Sequence, residues 1–259
     1  MARDARWKTL LELLGERGRL DVEEAAAELA VSAATIRRDF DRLAEQRMLV
    51  RTRGGAVAHG VSYELPLRYK AARRAPEKQR IARAVAALIM PGEAVGLTGG
   101  TTTTEVARAL ALRDDLGAGS PALTIVTNAL NIAGELAVRP QFKIVVTGGV
   151  ARAQSYELVG PLADGVLGQI TLDVAVLGVV SFDVVHGAAA HDESEAAVNR
   201  ALCERAERVV LAADSTKLGR RAFARICAAD TVDTLVTDTA ADPAVLRRFE
   251  ETGIRVVVA

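Results

Sequence analysis

A Gly- and Thr-rich segment at residues 97–104 (LTGGTTTT) has the composition of an anion-binding turn. It follows an apolar run typical of a strand and leads into a segment with helical spacing of apolar residues. Glycines let a ligand approach the backbone, amides at a helix N-terminus attract anions, and threonine hydroxyls add donors. The segment lacks the lysine of a P-loop, which argues against an NTPase. We predict a phosphate-binding loop here; an equally good interpretation is a plain turn between a strand and a helix.

The segment at residues 20–39 has the spacing of a helix-turn-helix. Asp21 and Glu24 match a capping box at the start of one helix, a tight connection follows, and Ser32 is placed to cap the next helix. The apolar residues of that next helix recur at i, i+4 and i+7, which predicts one buried face. This arrangement allows the second of the two helices to enter a DNA major groove while the first supports it.

Polar side chains on this second helix and on the hairpin after it are suited to DNA. Serine and threonine hydroxyls can bind phosphate, and the arginine fork suits both guanine and phosphate. Residues 48–57 are typical of two short strands around a Gly-Gly turn, a wing that adds two arginines. The alternative is that the arginines only solvate an exposed helix; the wing and the basic segment after it favour DNA. The predicted DNA-binding residues are Ser32, Thr35, Arg37, Arg38, Arg42, Arg51 and Arg53.

The charge of the chain is unevenly distributed. The 259 residues include 33 Lys or Arg and 33 Asp or Glu. Residues 1–80 include 17 Lys or Arg and 12 Asp or Glu, a net charge of +5. Residues 81–259 include 16 Lys or Arg and 21 Asp or Glu, a net charge of −5. Such asymmetry is typical of a nucleic-acid-binding part joined to a neutral or acidic part.

Composition excludes several classes of protein. Hydrophobic residues make up 50% and charged residues 25% of the chain, as in ordinary globular domains. No apolar run reaches the about 18 residues of a membrane helix, and no secretory signal is recognisable. Cys203 and Cys227 form no C-x-x-C pair, so we expect two buried fillers in a reducing compartment. We therefore expect a cytoplasmic protein with no membrane contact, no metal site and no cofactor.

From about residue 76 onward, apolar strand-like runs alternate with helical segments. The predicted strands are 94–97, 123–127, 142–147, 174–178, 208–212, 234–237 and 255–258. Such alternation predicts βαβ units on a mostly parallel sheet covered on both faces. The stretch before it is basic and contains prolines, which is typical of a linker. We expect a winged helix-turn-helix domain at 1–58, a linker at 59–75 and an α/β domain at 76–259.

The run VSAATIRRDFDRLAEQRMLVRTRGGAV resembles the winged helix-turn-helix signature of the DeoR family of bacterial transcriptional regulators, through its T-I-R-R-D and R-x-R-G-G-A elements. The rest of the chain is similar to the sugar-phosphate-sensing domain of that family. The resemblance implies a C-terminal fold like that of ribose-5-phosphate isomerase, and repression of carbohydrate-metabolism genes. It also implies double-stranded operator DNA and a phosphorylated sugar effector as partners. A single winged module offers limited specificity, so we expect a homo-oligomer, a dimer or a tetramer.

The resemblance also implies where the effector binds. In the family, the G-G-T-T, T-N and G-G loops line the effector pocket, and D-S-T-K at 214–217 resembles the family's D-S-S-K element. Carboxylates suit sugar hydroxyls as acceptors, although a surface or capping role is the simpler interpretation of each charge. The predicted effector-binding residues are Thr98, Gly99, Gly100, Thr101, Thr102, Thr103, Asn128, Gly148, Gly149, Asp173, Asp183, Glu195 and Lys217.

Several positions depart from the family pattern. Arg47 stands where a glycine usually precedes the wing, Ala189 and Ala190 stand where hydroxyls are usual, and Asn199 stands where a lysine is usual. If the stretch at 178–200 lines the pocket, we expect an effector that differs from the common sugar phosphates at its non-phosphate end; the alternative is a surface loop. Two other functions stay open. One is a sugar-phosphate isomerase, which needs no helix-turn-helix, and the other is an architectural DNA-binding protein without an effector.

Overall fold

The computed structural model describes residues 3–45, 48–57, 67, 74–117 and 121–259. The chain divides into two compact units, Met1–Arg73 and Arg74–Ala259. Arg47 and almost all of the predicted linker at 59–75 lie outside the described residues, so the predicted domain boundaries stay a prediction. Within the described ranges, no helix has both the length and the apolar character needed to cross a membrane.

The N-terminal unit packs helices against a small antiparallel sheet. Its described elements are α1 (Arg3–Arg17), β1 (Arg19–Asp21), α2 (Val22–Glu28), α3 (Ala33–Glu45), β2 (Val50–Arg51) and β3 (Gly55–Val57). The central strand β3 pairs with both β1 and β2. The predicted buried face of α3 is confirmed, because its Ile36 and Phe40 share one buried core with Trp7, Leu10 and Leu14 of α1.

The start of α3 agrees with its prediction and the start of α2 does not. The Thr35 amide donates to Ser32 Oγ over 3.2 Å, which is the predicted cap. The Asp21 side chain makes no capping hydrogen bond; its carboxylate accepts from Arg19 Nη2 at 3.1 Å instead. Glu24 accepts from Arg17 at 2.5 Å. The capping box predicted for α2 is therefore wrong, because both of its carboxylates are held by arginines.

The wing is a hairpin of β2 and β3, as the Gly-Gly pair predicts. Its second glycine is needed for packing. A Cβ at Gly55 would lie 2.8 Å from Asp21 Cα and closer still to the Leu20 carbonyl oxygen. A Cβ at Gly54 would make only an ordinary contact, 3.8 Å from Asp21 Oδ1. Gly55 therefore permits the close pairing of β3 with β1.

The C-terminal unit alternates strands and helices. Its first half comprises α4 (Ala75–Ala86), β4 (Ala94–Leu97), α5 (Thr101–Ala111), β5 (Leu123–Thr127), α6 (Leu130–Leu136), β6 (Phe142–Val146), β7 (Val150–Arg152), β8 (Glu157–Val159) and α7 (Asp164–Leu167). Its second half comprises β9 (Leu172–Gly178), β10 (Ser181–Asp183), β11 (Gly187–Ala190), α8 (Glu193–Glu204), β12 (Ala206–Ala212), β13 (Ala224–Cys227), β14 (Thr234–Thr237), α9 (Pro243–Glu250) and β15 (Arg255–Val258).

One parallel sheet of seven strands organises this unit, in the order β15-β14-β12-β9-β4-β5-β6. Every one of these strands was predicted, with differences of one or two residues at the ends of β6, β9 and β12. One apolar core includes Ile81, Val106 and Ile132, and a second core includes Phe182 and Phe249, whose rings stack with centroids 4.6 Å apart. The predicted mostly parallel α/β architecture, covered on both faces, is confirmed.

The direction in which the chain builds the sheet reverses between β4 and β9. From β4 the chain proceeds outward through β5 and β6, and from β9 it proceeds the other way through β12, β14 and β15. Ligands of open α/β sheets bind outside the carboxyl ends of the strands at such a switch point. The Gly- and Thr-rich loop that follows β4 lies at this position.

Candidate functional site

The exposed face of α3 carries three of the arginines predicted to contact DNA, namely Arg37, Arg38 and Arg42. The opposite face includes Asp39, a buried carboxylate that the sequence analysis did not single out. Asp39 accepts from Trp7 Nε1 at 2.8 Å and from Arg6 Nε at 2.5 Å, both on α1. The aspartate of the T-I-R-R-D element therefore fixes α3 against α1 and sets which side of α3 presents its arginines.

The predicted arginines differ in how free they are. Among the described residues no ion-pair partner lies beside Arg38, Arg42 or Arg53, and Arg38 makes only a 3.3 Å bond to the Ala34 carbonyl of its own helix. Arg37 pairs with Glu23 at 3.0 Å, but both side chains are more than half exposed. Surface pairs of this kind contribute about 0–1 kcal/mol, so Arg37 can exchange its partner for a phosphate at little cost.

Arg51 is the most constrained of the set. Its Nε donates to Asp41 Oδ1 at 2.8 Å, its Nη1 donates to the Gly55 carbonyl at 2.8 Å, and its guanidinium lies 5.7 Å from the centroid of the Phe40 ring. These contacts join the wing to α3. A role for Arg51 in DNA contact stays a prediction, since much of its bonding capacity is already used within the unit.

Ser32 and Thr35 lie at the N-terminus of α3, where the helix dipole favours anions. Their hydroxyl oxygens are 2.9 Å apart, and Ser32 Oγ also accepts the Thr35 amide. Both residues remain partly or fully exposed. The cap thus positions two hydroxyls and the first-turn amides of α3 together, a geometry suited to a DNA phosphate.

In the C-terminal unit, the loop after β4 joins the two central strands at the switch point. Thr98 is fully buried, and its Oγ1 accepts from the Gly178 amide at 2.9 Å, which links the ends of β4 and β9. Thr103 donates its hydroxyl to the Gly100 carbonyl at 3.1 Å. These two hydroxyls therefore hold the loop in place, and a contact of Thr98 or Thr103 with an effector stays a prediction.

The donors that remain in this loop are mainly backbone amides. Gly100 precedes α5 with φ of +132°, and the amides of residues 101–103 are in the first turn, where α-helical amides have no partner within the helix. Thr101 is partly exposed and Thr102 is nearly buried. The loop retains the physical features of an anion site, with Thr101 as its most accessible hydroxyl.

Three polar side chains meet beside this loop, and each is more than nine-tenths buried. Asn128, directly after β5, donates through Nδ2 to Glu157 Oε2 at 2.9 Å and to Asn199 Oδ1 at 3.3 Å. A Cβ on Gly99 would overlap the Glu157 side chain, so only glycine permits this approach. We call Asn128, Glu157 and Asn199 the polar cluster.

Asn128 has no exposed surface, and its Oδ1 has no hydrogen-bond partner among the atoms the structure describes. A buried acceptor left unsatisfied costs about 1–3 kcal/mol. Buried polar atoms in native proteins nearly always have a hydrogen-bond partner. We therefore infer that a donor group of a bound ligand pairs with Asn128 Oδ1.

Gly148 and Gly149 connect β6 to β7. Both have positive φ, +78° and +121°, and a Cβ at Gly149 would lie 2.8 Å from the Val159 carbonyl oxygen. They allow the β7–β8 hairpin to fold back over the loop after β5, where the Leu158 amide donates to the Asn128 carbonyl at 2.7 Å. Contact of these two glycines with an effector stays a prediction.

Glu195 is buried at the N-terminus of α8 and is held by Arg152 of β7. Arg152 Nη1 donates to Glu195 Oε1 at 2.7 Å, and its Nε lies 3.2 Å from Asp192 Oδ2. Asp192 caps α8 by accepting from the amides of Ser194 and Glu195 at 3.0 and 3.1 Å. This ion-pair network ties the hairpin to the helix that supplies Asn199.

Lys217 follows β12 in a short 3₁₀ turn, Ser215–Lys217, at the same edge of the sheet. The turn is capped by Asp214, whose carboxylate accepts from the Thr216 amide at 3.1 Å. It is also held by Asp238, directly after β14, whose Oδ2 accepts from the Ser215 amide at 2.7 Å.

Asp238 also accepts from Arg74 Nη2 at 3.4 Å. Burial opposes ionisation of the Asp238 carboxyl, but bonds from the Ser215 and Ala240 amides, the Ser215 hydroxyl and the charge of Arg74 lower its pKa below the ordinary value. Asp238 is therefore a stable carboxylate that connects the Lys217 turn to Arg74, the first residue of the C-terminal unit.

Two predicted effector residues, Asp173 and Asp183, bond to backbone amides near them in the chain or in the sheet. Asp173 is at the amino end of β9, the opposite edge of the sheet, and its carboxylate accepts from the Ala94 amide at 2.6 Å. Asp183 closes the turn between β10 and β11, accepting from the amides of Val185 and His186, each at 3.0 Å. Both carboxylates accept from nearby backbone amides, and a contact of Asp173 or Asp183 with an effector stays a prediction.

Three residues of this region were missed by the sequence analysis: Arg152, Glu157 and Asp238. Asp238 follows a predicted strand directly, so the rule that selected Asn128 could have found it. Arg152 and Glu157 lie in a hairpin of two three-residue strands, which leaves no periodic pattern to detect.

A winged helix-turn-helix with exposed arginines, in one chain with an α/β unit that has a polar cluster at its switch point, defines a DNA-binding regulator with its own sensor domain. Residues 6–60 match the DeoR-like helix-turn-helix domain, and residues 73–239 match the DeoR C-terminal sensor domain. The chain belongs to the DeoR family of transcriptional regulators.

Individual relatives agree with this membership. The glycerol-3-phosphate regulon repressor of Escherichia coli (strain K12) is 34% identical over 238 residues, which cover 92% of each chain. The HTH-type transcriptional repressor GlcR of Bacillus subtilis (strain 168) is 30% identical over 261 residues, which cover 100% of this chain and 97% of the relative. Among solved structures, ribose 5-phosphate isomerase A of Methanocaldococcus jannaschii gives a TM-score of 0.40 and 16% identity over 54% of this chain and 53% of the enzyme. A similarity of that size carries no information about activity.

Proposed function

We propose that this chain represses carbohydrate-metabolism genes by binding operator DNA as a homo-oligomer, through α3 and the wing, and that a phosphorylated sugar controls the binding. The main support for a ligand site in the C-terminal unit is Asn128. Its buried Oδ1 has no hydrogen-bond partner among the described atoms and lies beside a loop suited to phosphate. The name of one relative, a glycerol-3-phosphate regulon repressor, supports a small phosphorylated metabolite as effector.

In this proposal the two ends of the effector have different partners. The phosphate binds the first-turn amides of α5 and Thr101, with Lys217 as a further cation. The hydroxyl end binds the polar cluster, where amides and a carboxylate supply both donors and acceptors. Ala189, Ala190 and Asn199 are all buried, which argues against the surface-loop interpretation of that stretch. Of the three, Asn199 is bonded to Asn128, so it is the residue we expect to set the preference at the non-phosphate end.

The proposal is for binding without catalysis. Proton transfer on a sugar phosphate needs side chains that titrate near neutral pH. Two of the three members of the polar cluster, Asn128 and Asn199, are amides, which do not exchange protons in that range. We therefore expect no interconversion of ribose 5-phosphate and ribulose 5-phosphate by the purified chain; measurable turnover would favour the isomerase alternative.

A thermal-shift screen with sugar phosphates and the matching unphosphorylated sugars tests the sensor site. A ligand at 100 times its Kd should stabilise the folded chain by about 2.7 kcal/mol. We expect Gly99→Ala to remove this stabilisation, because the new Cβ displaces Glu157. Gly134→Ala is the matched control, since a Cβ there meets nothing within 4 Å. An unchanged response in Gly99→Ala, or a response to unphosphorylated sugars alone, would overturn the assignment.

Two further variants test the phosphate end. Thr101→Ala and Lys217→Ala should each lose the ligand response while operator binding is retained, because both residues belong to the C-terminal unit. Calorimetry showing full affinity for the sugar phosphate in both variants would exclude a phosphate shared between Thr101 and Lys217.

A further inference from the structure

The two cysteines of the chain are neighbours in the fold. Cys203 lies in the last turn of α8 and Cys227 ends β13. Arg200, one turn before Cys203, donates through Nε to the Ile226 carbonyl at 2.9 Å and through Nη2 to the Arg225 carbonyl at 2.6 Å. These bonds hold the end of α8 against β13. Both cysteines are free thiols, and the two side chains are close enough for each to shift the pKa of the other.

Both cysteines line an open cleft of about 360 Å³, although most of each side chain is buried. The other lining residues include Arg200, Arg225 and Thr231. The cleft is formed by α8, β13 and the segment after β13, and the polar cluster residues are not among those that line it. A small uncharged oxidant in this cleft would therefore lie next to the two cysteines without entering the proposed effector site.

The surroundings of the two sulfurs make them chemically different. A side-chain hydrogen bond with Cys203 lowers the pKa of Cys227 against the opposing effect of burial, and the Ala188 amide and the charges of Arg225 and Arg200 lower it further. The same hydrogen bond and burial raise the pKa of Cys203. Of the two thiols, Cys227 is therefore the one whose surroundings favour the thiolate. A low-pKa cysteine next to a second cysteine is the usual arrangement of a reversible thiol switch.

We propose that Cys203 and Cys227 form an oxidative modification site at which hydrogen peroxide closes an intramolecular disulfide. The Cys227 thiolate attacks one peroxide oxygen, the O–O bond breaks, and the released hydroxide takes a proton to leave as water. The Cys227 sulfenic acid then reacts with the Cys203 thiol; an S–S bond forms, the S–OH bond breaks, and the hydroxyl leaves as water with the thiol proton. Two electrons pass from the sulfurs to hydrogen peroxide, which becomes two waters.

The disulfide would fix the last turn of α8 to β13. The same helix carries Glu195 in its first turn and Asn199 in its middle, so the modified residues and the polar cluster share one rigid element. The oxidation itself does not depend on any effector and can be tested in its absence.

The test is to expose the reduced full-length chain to hydrogen peroxide and then to count free thiols after denaturation and map the tryptic peptides by mass spectrometry. We expect loss of both thiols, a linked pair of peptides containing Cys203 and Cys227, and full reversal by dithiothreitol. Retention of both thiols, or cross-linking between chains through either cysteine, would overturn the proposal. This measurement on the unmodified sequence needs no variant to fold.

Single variants test the assigned order of events. Cys203→Ser should stop at the sulfenic acid on Cys227, which dimedone traps, whereas Cys227→Ser should react at least about tenfold more slowly at Cys203. Equal reaction rates in the two variants would contradict the assignment of Cys227 as the attacking thiolate.

Discussion

Arg38 has the position expected of a residue that contacts DNA bases. It lies on the exposed face of α3, six residues beyond the cap at Ser32, and none of the described residues forms an ion pair with it. Its orientation depends on Asp39, the next residue, which is bonded to Trp7 and Arg6 of α1. A buried carboxylate thus positions the exposed arginine beside it.

We expect Arg38→Ala to weaken operator binding by about 1–3 kcal/mol, because a lost bidentate contact to a base costs that much. Fluorescence anisotropy with operator DNA at physiological salt measures the loss. Arg17→Ala is a matched control, since Arg17 is also exposed but lies at the end of α1 and pairs with Glu24 and Glu28. Unchanged affinity in folded Arg38→Ala would remove Arg38 from the interface, and an equal loss in both variants would indicate a general charge effect.

Residue type alone predicted which segments are polar at the switch point but not what each hydroxyl does. Thr98 and Thr103 have the right chemistry to bind a phosphate, yet their hydroxyls bond to the Gly178 amide and the Gly100 carbonyl. The first of these bonds depends on which strands become neighbours, here β4 and β9, whereas the second is local to the first turn of α5. The sequence separates those strands widely, so their pairing is visible only in the fold.

At the scale of elements, the wing depends on close pairing between strands that are distant in sequence. Gly55 of β3 approaches Leu20 and Asp21 of β1 so closely that a Cβ would collide with backbone atoms, which cannot move aside as a flexible side chain can. Gly54, in the turn, has room for a methyl group. Alanine substitutions at these two adjacent glycines therefore compare a packed site with an open one.

We expect Gly55→Ala to destabilise the N-terminal unit by about 1–3 kcal/mol, the usual cost of forcing extra atoms into a packed site. Gly54→Ala should change the stability by less than about 0.5 kcal/mol, as for other surface substitutions. Trp7 is the single tryptophan of the chain and is buried in the N-terminal core, so urea unfolding followed by its fluorescence reports this unit. Equal midpoints in the two variants would show that the β1–β3 pairing tolerates a side chain at residue 55.

The elements differ in how well the sequence predicts them. The parallel strands are buried on both faces, so each is a short apolar run between turn residues, and all seven were predicted. The β7–β8 hairpin consists of two three-residue strands that are partly exposed and rely on backbone pairing. Such strands leave no hydrophobic pattern, and for that reason Arg152 and Glu157 were missed although they adjoin the proposed site.

At the scale of the whole molecule, the proposed function requires that a ligand bound in the C-terminal unit changes the DNA-binding equilibrium of the N-terminal unit. To shift two states from 1:99 to 99:1, a ligand needs a preference of about 10⁴-fold for one of them. The described contact best placed to take part is that of Arg74, the first residue of the C-terminal unit, with Asp238. Asp238 in turn holds Ser215 in the turn that carries Lys217.

We expect Arg74→Ala to keep both ligand binding and operator binding but to weaken the effect of the ligand on the operator complex, because the contact between the Lys217 turn and Arg74 is lost. Arg108→Ala is the control, an arginine of the same unit that also forms ion pairs, with Glu105 and Glu135. Operator titrations with and without ligand measure the coupling. If the ligand changes operator affinity in Arg74→Ala as much as in the unmodified chain, the Arg74–Asp238 ion pair takes no part in this coupling.

The most direct test of ligand-controlled repression is to titrate the operator complex of the full-length chain with phosphorylated sugars and their unphosphorylated forms. The operator is first selected from random DNA by the chain itself, and its affinity should fall steeply with salt because phosphate contacts release counterions. We predict that at least one sugar phosphate changes the operator affinity while the corresponding free sugar does not. An operator affinity that no phosphorylated sugar changes, or that free sugars change equally, would contradict control through the phosphate-binding loop.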